Sequence, residues 1–221
     1  MNKKLIIFGG GDLGEVANYY FKEDSEYEIS AFTLDGDYVS DDNFCGHPVI
    51  PFEELEKYYC YNEYYIFIAL GYSKLNRLRR EKYISAKNRG YRLASYVSSK
   101  ATILNGGKIG ENCFILEDNT IQPFSVIGNN VTMWSGNHIG HHARIGDHCF
   151  LASHIVVSGG VNIGESCFIG VNATFRDHVE IGQECLIGAG ALILANAEAQ
   201  GVYVPETTPR SRVPSNRVRK I

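Results

Sequence analysis

Five of the seven histidines in this 221-residue chain, His138, His141, His142, His148 and His154, fall within 17 consecutive positions. Neutral imidazole is the side chain best matched to moving a proton near neutral pH, and clustered imidazoles also bind zinc. A second candidate lies near the start, where Gly9-Gly10-Gly11-Asp12-Leu13-Gly14 forms a GxGxxG stretch. Backbone N–H groups of such a loop, with the helix N-terminus that follows, suit a diphosphate. Asp35 comes after the next strand-like run, where an acid hydrogen-bonds a ribose hydroxyl.

The elements that hold the histidines are legible in a repeat. From Asn105 to Leu194 the chain divides without insertion into fifteen hexads, and the fifth place of every hexad is apolar, from Ile109 through Met133 and Phe175 to Ile193. Glycine recurs every 18 residues at Gly110, Gly128, Gly146, Gly164 and Gly182. A period of six matches neither 3.5 nor 3.6 residues, which excludes an amphipathic helix. It predicts a triangular parallel β-helix in which three hexads make one coil and coils stack about 4.8 Å apart. The stack is expected to open with residues 93–104. Cys113, Cys149, Cys167 and Cys185 share one column with Val131 and read as small buried hydrophobes.

Residues 1–92 follow another pattern. Strand-like runs at Leu5–Phe8, Ile29–Leu34 and Tyr65–Leu70 alternate with helical stretches at Gly14–Phe21, Phe52–Tyr59 and Lys74–Asn88. This βαβαβ order predicts a Rossmann-like parallel sheet covered by helices. The expected organisation is therefore α/β plus all-β: a Rossmann-like domain at 1–92, the β-helix at 93–194, and a tail at 195–221 that caps the helix. That tail is basic, with Arg210, Arg212, Arg217, Arg219 and Lys220 against Glu198 and Glu206.

Bulk properties narrow the function. A net charge of −4 argues against a nucleic-acid binder, which needs a basic surface. No run reaches the roughly 18 apolar residues of a membrane span. The apolar start, Met1–Phe8, gives way to glycines and Asp12, which predicts no export. The six cysteines lack CxxC spacing, as expected of reduced thiols in the cytoplasm.

Together, the Gly-rich βαβ half-domain and the hexapeptide coils resemble the bacterial acyltransferases that N-acetylate nucleotide-linked amino sugars, grouped with the sialic acid O-acetyltransferases. The resemblance spans nearly the whole chain. It implies a left-handed β-helix, a homotrimer, acetyl-CoA as cosubstrate in the groove between neighbouring helices, and no metal. Within Asn137–Gly146 it makes His141 the catalytic base, with His142 in support, and it places a backbone amide near Gly159 against the acyl carbonyl. Gly159, Val171 and Ala189 would line the CoA path. Gly9, Gly11, Asp12, Leu13, Gly14, Asp35 and Arg77 would meet the nucleotide-linked sugar. This chain departs from the family pattern in having His142 where a carboxylate is common, Trp134 where an asparagine is common, and Leu13 where a histidine is common.

The implied activity is N-acetylation of a UDP- or dTDP-linked 4-amino-4,6-dideoxy sugar for surface glycans such as O-antigen, capsule or glycoprotein glycan. O-acetylation of sialic acid or a related sugar is the alternative. An NAD-dependent oxidoreductase would need two nucleotide-binding halves, and fewer than 100 residues supply one. Zinc catalysis, as in hexapeptide-repeat carbonic anhydrases, lacks carboxylates to orient the imidazoles. A non-catalytic trimeric scaffold would have no use for an intact histidine facing the side-chain-free rung Gly159-Gly160. His148 and His178 are expected to be solvated.

Overall fold

The structure, a computed structural model, describes residues 3–212 and 214–217. Arg219 and Lys220 of the basic tail, and Met1 and Asn2 at the start, lie outside the described residues.

The front domain runs β1 (Lys3–Phe8), α1 (Asp12–Glu23), β2 (Tyr27–Leu34), β3 (Asn43–Phe44), β4 (His47–Pro51), α2 (Leu55–Tyr58), β5 (Tyr64–Ile68), α3 (Arg77–Asn88) and β6 (Arg92–Leu93). The sheet order is β3-β4-β2-β1-β5-β6. Every pairing is parallel except β3 with β4. Alternation along β1 sends Leu5 and Ile7 to one core and Ile6 and Phe8 to the other, as a sheet covered on both faces requires. The expected parallel βαβ order is thus present, and the sheet is mixed rather than purely parallel. The short antiparallel edge escaped the sequence pattern because two-residue strands carry no periodicity.

Behind it the β-helix presents three faces. The first stacks seven two-residue strands from Tyr96–Val97 to Val202–Tyr203, the second six from Thr102–Ile103 to Leu192–Ile193, and the third four from Val126–Ile127 to Glu180–Ile181. All pairings are parallel, and through the repeat their register is 18 residues, as in Val126 with Arg144 and Phe150 with Phe168. The four column cysteines are fully buried among the inward aliphatics. Glycine at the 18-residue positions is a packing requirement: a Cβ on Gly146 would lie 2.7 Å from the Glu165 amide nitrogen of the next coil. Past Leu194 the chain keeps stacking, because Val202–Tyr203 pairs with Leu186–Ile187. Arg210, Arg212 and Arg217 are exposed.

Each corner is a two-residue turn whose second residue takes the left-handed conformation, with φ of 54° at Asn112, 60° at His142, 64° at His148, 59° at His154 and 59° at His178. Asn, Asp and His are enriched there. Turn geometry therefore accounts for most of the histidine crowding, and His141, at the first position of its turn, is not needed for it.

The front domain rides on the first face and the corner leading into it. Arg79 on α3 is fully buried and donates to Thr132 Oγ1 (3.1 Å) and to the carbonyls of His148 (2.9 Å) and Cys149 (3.0 Å). Asn76 donates to the Ser166 and Cys167 carbonyls. The Ile68 N–H donates to Asn112 Oδ1, Asn112 Nδ2 to Asn130 Oδ1, and Asn130 Nδ2 to His148 Nδ1. His148 is thus 5% exposed rather than solvated; α3 covers its corner, and burial lowers its pKa to about 4. His178, on a different corner, is exposed.

Candidate active site

His141 stands on the corner between the second-face strand His138–Ile139 and the third-face strand Arg144–Ile145. Its main-chain N–H donates to Gln122 Oε1 at 2.9 Å. Its Nδ1 lies 3.1 Å from His142 Nδ1, and the His142 ring is covered by Phe124 with centroids 4.8 Å apart. One coil on, the imidazole lies over bare backbone: a Cβ on Gly159 would sit 2.6 Å from His141 Cε1 and 2.8 Å from Nε2. The Gly159 N–H donates to no partner among the described residues. A free imidazole nitrogen beside an unpaired amide can move a proton and hold a nascent oxyanion. The Nδ1 contact to His142 fixes the ring in the way a carboxylate would, provided that His141 donates and His142 accepts.

The front loop shapes a cavity of about 360 Å³ whose lining includes Gly11, Asp35, Tyr38, Leu78 and Lys82. Gly9 has φ of +137° and leaves no room for a Cβ beside the Ala69 carbonyl (2.5 Å), and a Cβ on Gly14 would strike the Gly9 carbonyl at 2.3 Å. These two glycines let strand and helix approach, and Gly11, facing open space, leaves the α1 N-terminus free. Asp35 pairs with Lys82. The other expected contacts fall elsewhere. Asp12 is exposed, Leu13 packs into the α1 core, and Arg77 points across to Glu184 of the β-helix at 3.6 Å. Leu78 and Lys82, one turn apart on α3, line the cavity, and Arg77 does not. Lys82 was missed because no motif or spacing marks it; its pairing with Asp35 is a tertiary contact.

A second recess, of about 390 Å³, opens beside the first face and includes Val171 and Ala189 in its wall. Tyr72, from the loop after β5, lies over Phe150 and Phe168 with centroids 4.9 and 4.7 Å away. Trp134 closes one end. The loop is held in an unusual backbone: Lys74, Leu75 and Asn76 have φ of 51°, 52° and 65°. L-residues visit this region singly, so three in succession mark strain of the kind that gathers at functional sites. Among the described residues no three His, Cys, Asp or Glu side chains converge to hold a metal ion. No helix in them is long and apolar enough to cross a membrane.

Residues 160–195 match the family model for the bacterial transferase hexapeptide (six repeats). These coils are transferase hexapeptide repeats. No curated protein sequence matches the chain. Among solved structures, the acetyltransferase domain of PglB from Neisseria gonorrhoeae FA1090 superposes with a TM-score of 0.82 at 24% identity, over 92% of this chain and 97% of that one. PerB from Caulobacter crescentus, in complex with CoA and GDP-perosamine, gives 0.79 at 24% identity over 91% and 94%. WeeI from Acinetobacter baumannii AYE gives 0.77 at 21% identity over 91% and 96%. The chain therefore shares the fold of these three proteins over more than nine-tenths of its length.

Proposed function

We propose that the chain is an acetyl-CoA-dependent N-acetyltransferase whose acceptor is the amine of a nucleotide-linked 4-amino-4,6-dideoxy sugar, with His141 as general base. The observation that carries this is the His141 imidazole lying over Gly159, anchored through Nδ1 to His142. With Nδ1 donating to His142, His141 Nε2 is free to take a proton from the amine as its nitrogen bonds the thioester carbonyl carbon. The Gly159 N–H faces the oxygen that gains charge. His141 then returns the proton to sulfur as the C–S bond breaks. The leaving thiol needs no metal to depart, and a positioned base together with an oxyanion donor contributes roughly 10⁴- to 10⁷-fold.

The same reading takes the chain as a homotrimer. The front domain touches the first face and its adjoining corners through Arg79, Asn76, Tyr72 and Tyr20. His141 lies on the remaining corner. On this reading the front cavity of one chain and the His141 of a neighbouring copy form the site together. Val156 and Leu192 on the second face, and Phe124 beside His142, are 40%, 62% and 66% exposed, which supplies apolar surface for that contact. A cytoplasmic setting supplies both acetyl-CoA and nucleotide sugar.

The test is thiol release from acetyl-CoA with dTDP-, UDP- and GDP-linked 4-amino-4,6-dideoxy sugars, set against sialic acid as hydroxyl acceptor. His141→Ala is expected to lower kcat by roughly 10²- to 10⁴-fold with sedimentation unchanged. Wild-type turnover on sialic acid alone, or near-normal turnover by a trimeric His141→Ala variant, refutes the proposal.

A further inference from the structure

Asp35 and Lys82 are the charged side chains in the wall of the front cavity, set among Phe8, Leu34, Leu70 and Leu78. Two rings place the Lys82 ammonium, which lies 5.5 Å from the centroid of Phe8 and 5.9 Å from that of Phe52; the rings themselves pack edge to face. Asp35 is held from the other side, because the Gly36 N–H of the turn that follows it donates to Glu53 Oε2 at 3.0 Å. Lys82 donates to Asp35 Oδ1, and no donor among the described residues meets Oδ2. One carboxylate oxygen is thus fixed and the other is left without a protein partner.

Helix α3 carries five basic residues, and four of them turn to the β-helix. Arg77 and Arg80 pair with Glu184 and Glu165, Lys87 pairs with Glu111, and Arg79 holds the His148 and Cys149 carbonyls. Lys82 alone is given to the cavity. That cavity also reaches Gly10 and Gly11, and so the N-terminus of α1, where backbone N–H groups suit a phosphate. A space of about 360 Å³ is about as wide as the Debye length at physiological salt, roughly 8 Å, so charge on one wall acts on a ligand at the other. A lone carboxylate here would repel a diphosphate. Lys82 cancels that charge and leaves Oδ2 an acceptor. Both side chains are partly exposed, 20% for Lys82 and 25% for Asp35, and ion pairs open to water add little to folding. The effect of the pair therefore falls on what enters the cavity.

We infer that Lys82 is a positioning residue for the nucleotide: it orients Asp35 and neutralises it, so that the carboxylate can accept a hydrogen bond from the nucleoside of an otherwise anionic ligand. This rests on the proposed use of a nucleotide-linked sugar. Lys82 acts through Asp35 and takes no part in acetyl transfer. Without Lys82, the carboxylate keeps its place in the wall and its charge opposes the ligand.

The test is equilibrium binding of UDP, dTDP and GDP to the full chain by calorimetry, which needs no turnover. Lys82→Met keeps an apolar stem of similar length and removes the charge; it is expected to weaken whichever nucleotide the wild type binds by about 10-fold or more. Adding Asp35→Asn to Lys82→Met removes the unpaired carboxylate charge and is expected to recover about threefold or more of that loss. Lys82→Arg keeps the charge and is expected to stay within about threefold of wild type. Urea midpoints measured beside each variant are expected to stay in place. Unchanged affinity in Lys82→Met, a double variant as weak as Lys82→Met or weaker, or an arginine variant as weak as the methionine one overturns the role. In turnover, Lys82→Met is expected to raise KM for the acceptor about 10-fold with kcat within about threefold, and a fall confined to kcat overturns the role too. A wild type that acetylates its acceptor and whose nucleotide affinity ignores Lys82 sinks this role and spares the activity. Nucleotide affinity that depends on Lys82, in a chain that transfers no acetyl group, does the reverse. A wild type that binds none of the three nucleotides removes the nucleotide-linked acceptor and this role with it.

Discussion

Replacing Gly159 by alanine separates the position of the imidazole from its presence. The added Cβ would lie 2.6 Å from His141 Cε1 and 2.8 Å from Nε2, against a carbon contact of about 3.5 Å. The ring must therefore retreat by roughly 1 Å, a misplacement that costs on the order of 10²-fold in rate. The backbone at Gly159 is not left-handed, and the obstructing atoms end an exposed side chain, so stability should change by about 0.5 kcal/mol or less. Gly160→Ala provides the contrast. Gly160 has φ of +68°, and a left-handed alanine costs about 1–2 kcal/mol, while its clash is with His178 rather than His141. Thiol release from acetyl-CoA, measured beside urea unfolding, should show Gly159→Ala slow and stable, and Gly160→Ala active per folded molecule and less stable. Gly159→Ala turnover within threefold of wild type would refute the placement of His141 as the base.

Three other outcomes follow from the geometry. His142→Phe removes the Nδ1 partner and keeps the ring packed on Phe124, so kcat should fall by about 10-fold or more as the His141 ring loses its anchor, with the loss read in a pH–rate profile. Arg79→Met leaves three buried acceptors without their donor and should destabilise the chain by about 3 kcal/mol or more in urea; burial lowers the Arg79 pKa only to about 10, so the guanidinium is charged at neutral pH. His148, buried with a folded pKa of about 4 against 6.5 unfolded, binds fewer protons folded than unfolded between those values. Its contribution, at most about 3 kcal/mol, is present above pH 6.5 and lost as pH falls toward 4. Stability curves of wild type and His148→Asn should converge in acid, and parallel curves would show that His148 is not the titrating group.

The repeat was legible because every inward side chain contributes to one continuous core, and a period of six residues has a single structural solution. The βαβ order of the front domain and its glycine loop were legible for a related reason: a strand-to-helix turn with this little room admits only glycine at Gly9 and Gly14. Misreadings fall where contacts come from distant sequence. His148 belongs to an outward turn in the lattice, and only α3, arriving from the other domain, buries it. Arg77 and Lys82 share a helix, and the way that helix docks sends Lys82 to the cavity and Arg77 to Glu184. Arg79 carries no motif at all, because two of its three partners are backbone carbonyls and any residue type supplies those.

By itself, then, the sequence determined the coil, its period and the rung on which His141 faces Gly159, since each depends on residues a fixed 18 apart. Tertiary structure alone decided that Tyr72 lies over Phe150 and Phe168 and that Lys82 answers Asp35. Those outcomes depend on where one element docks on another, and docking is set by a surface of many small contacts that leaves no period in the chain.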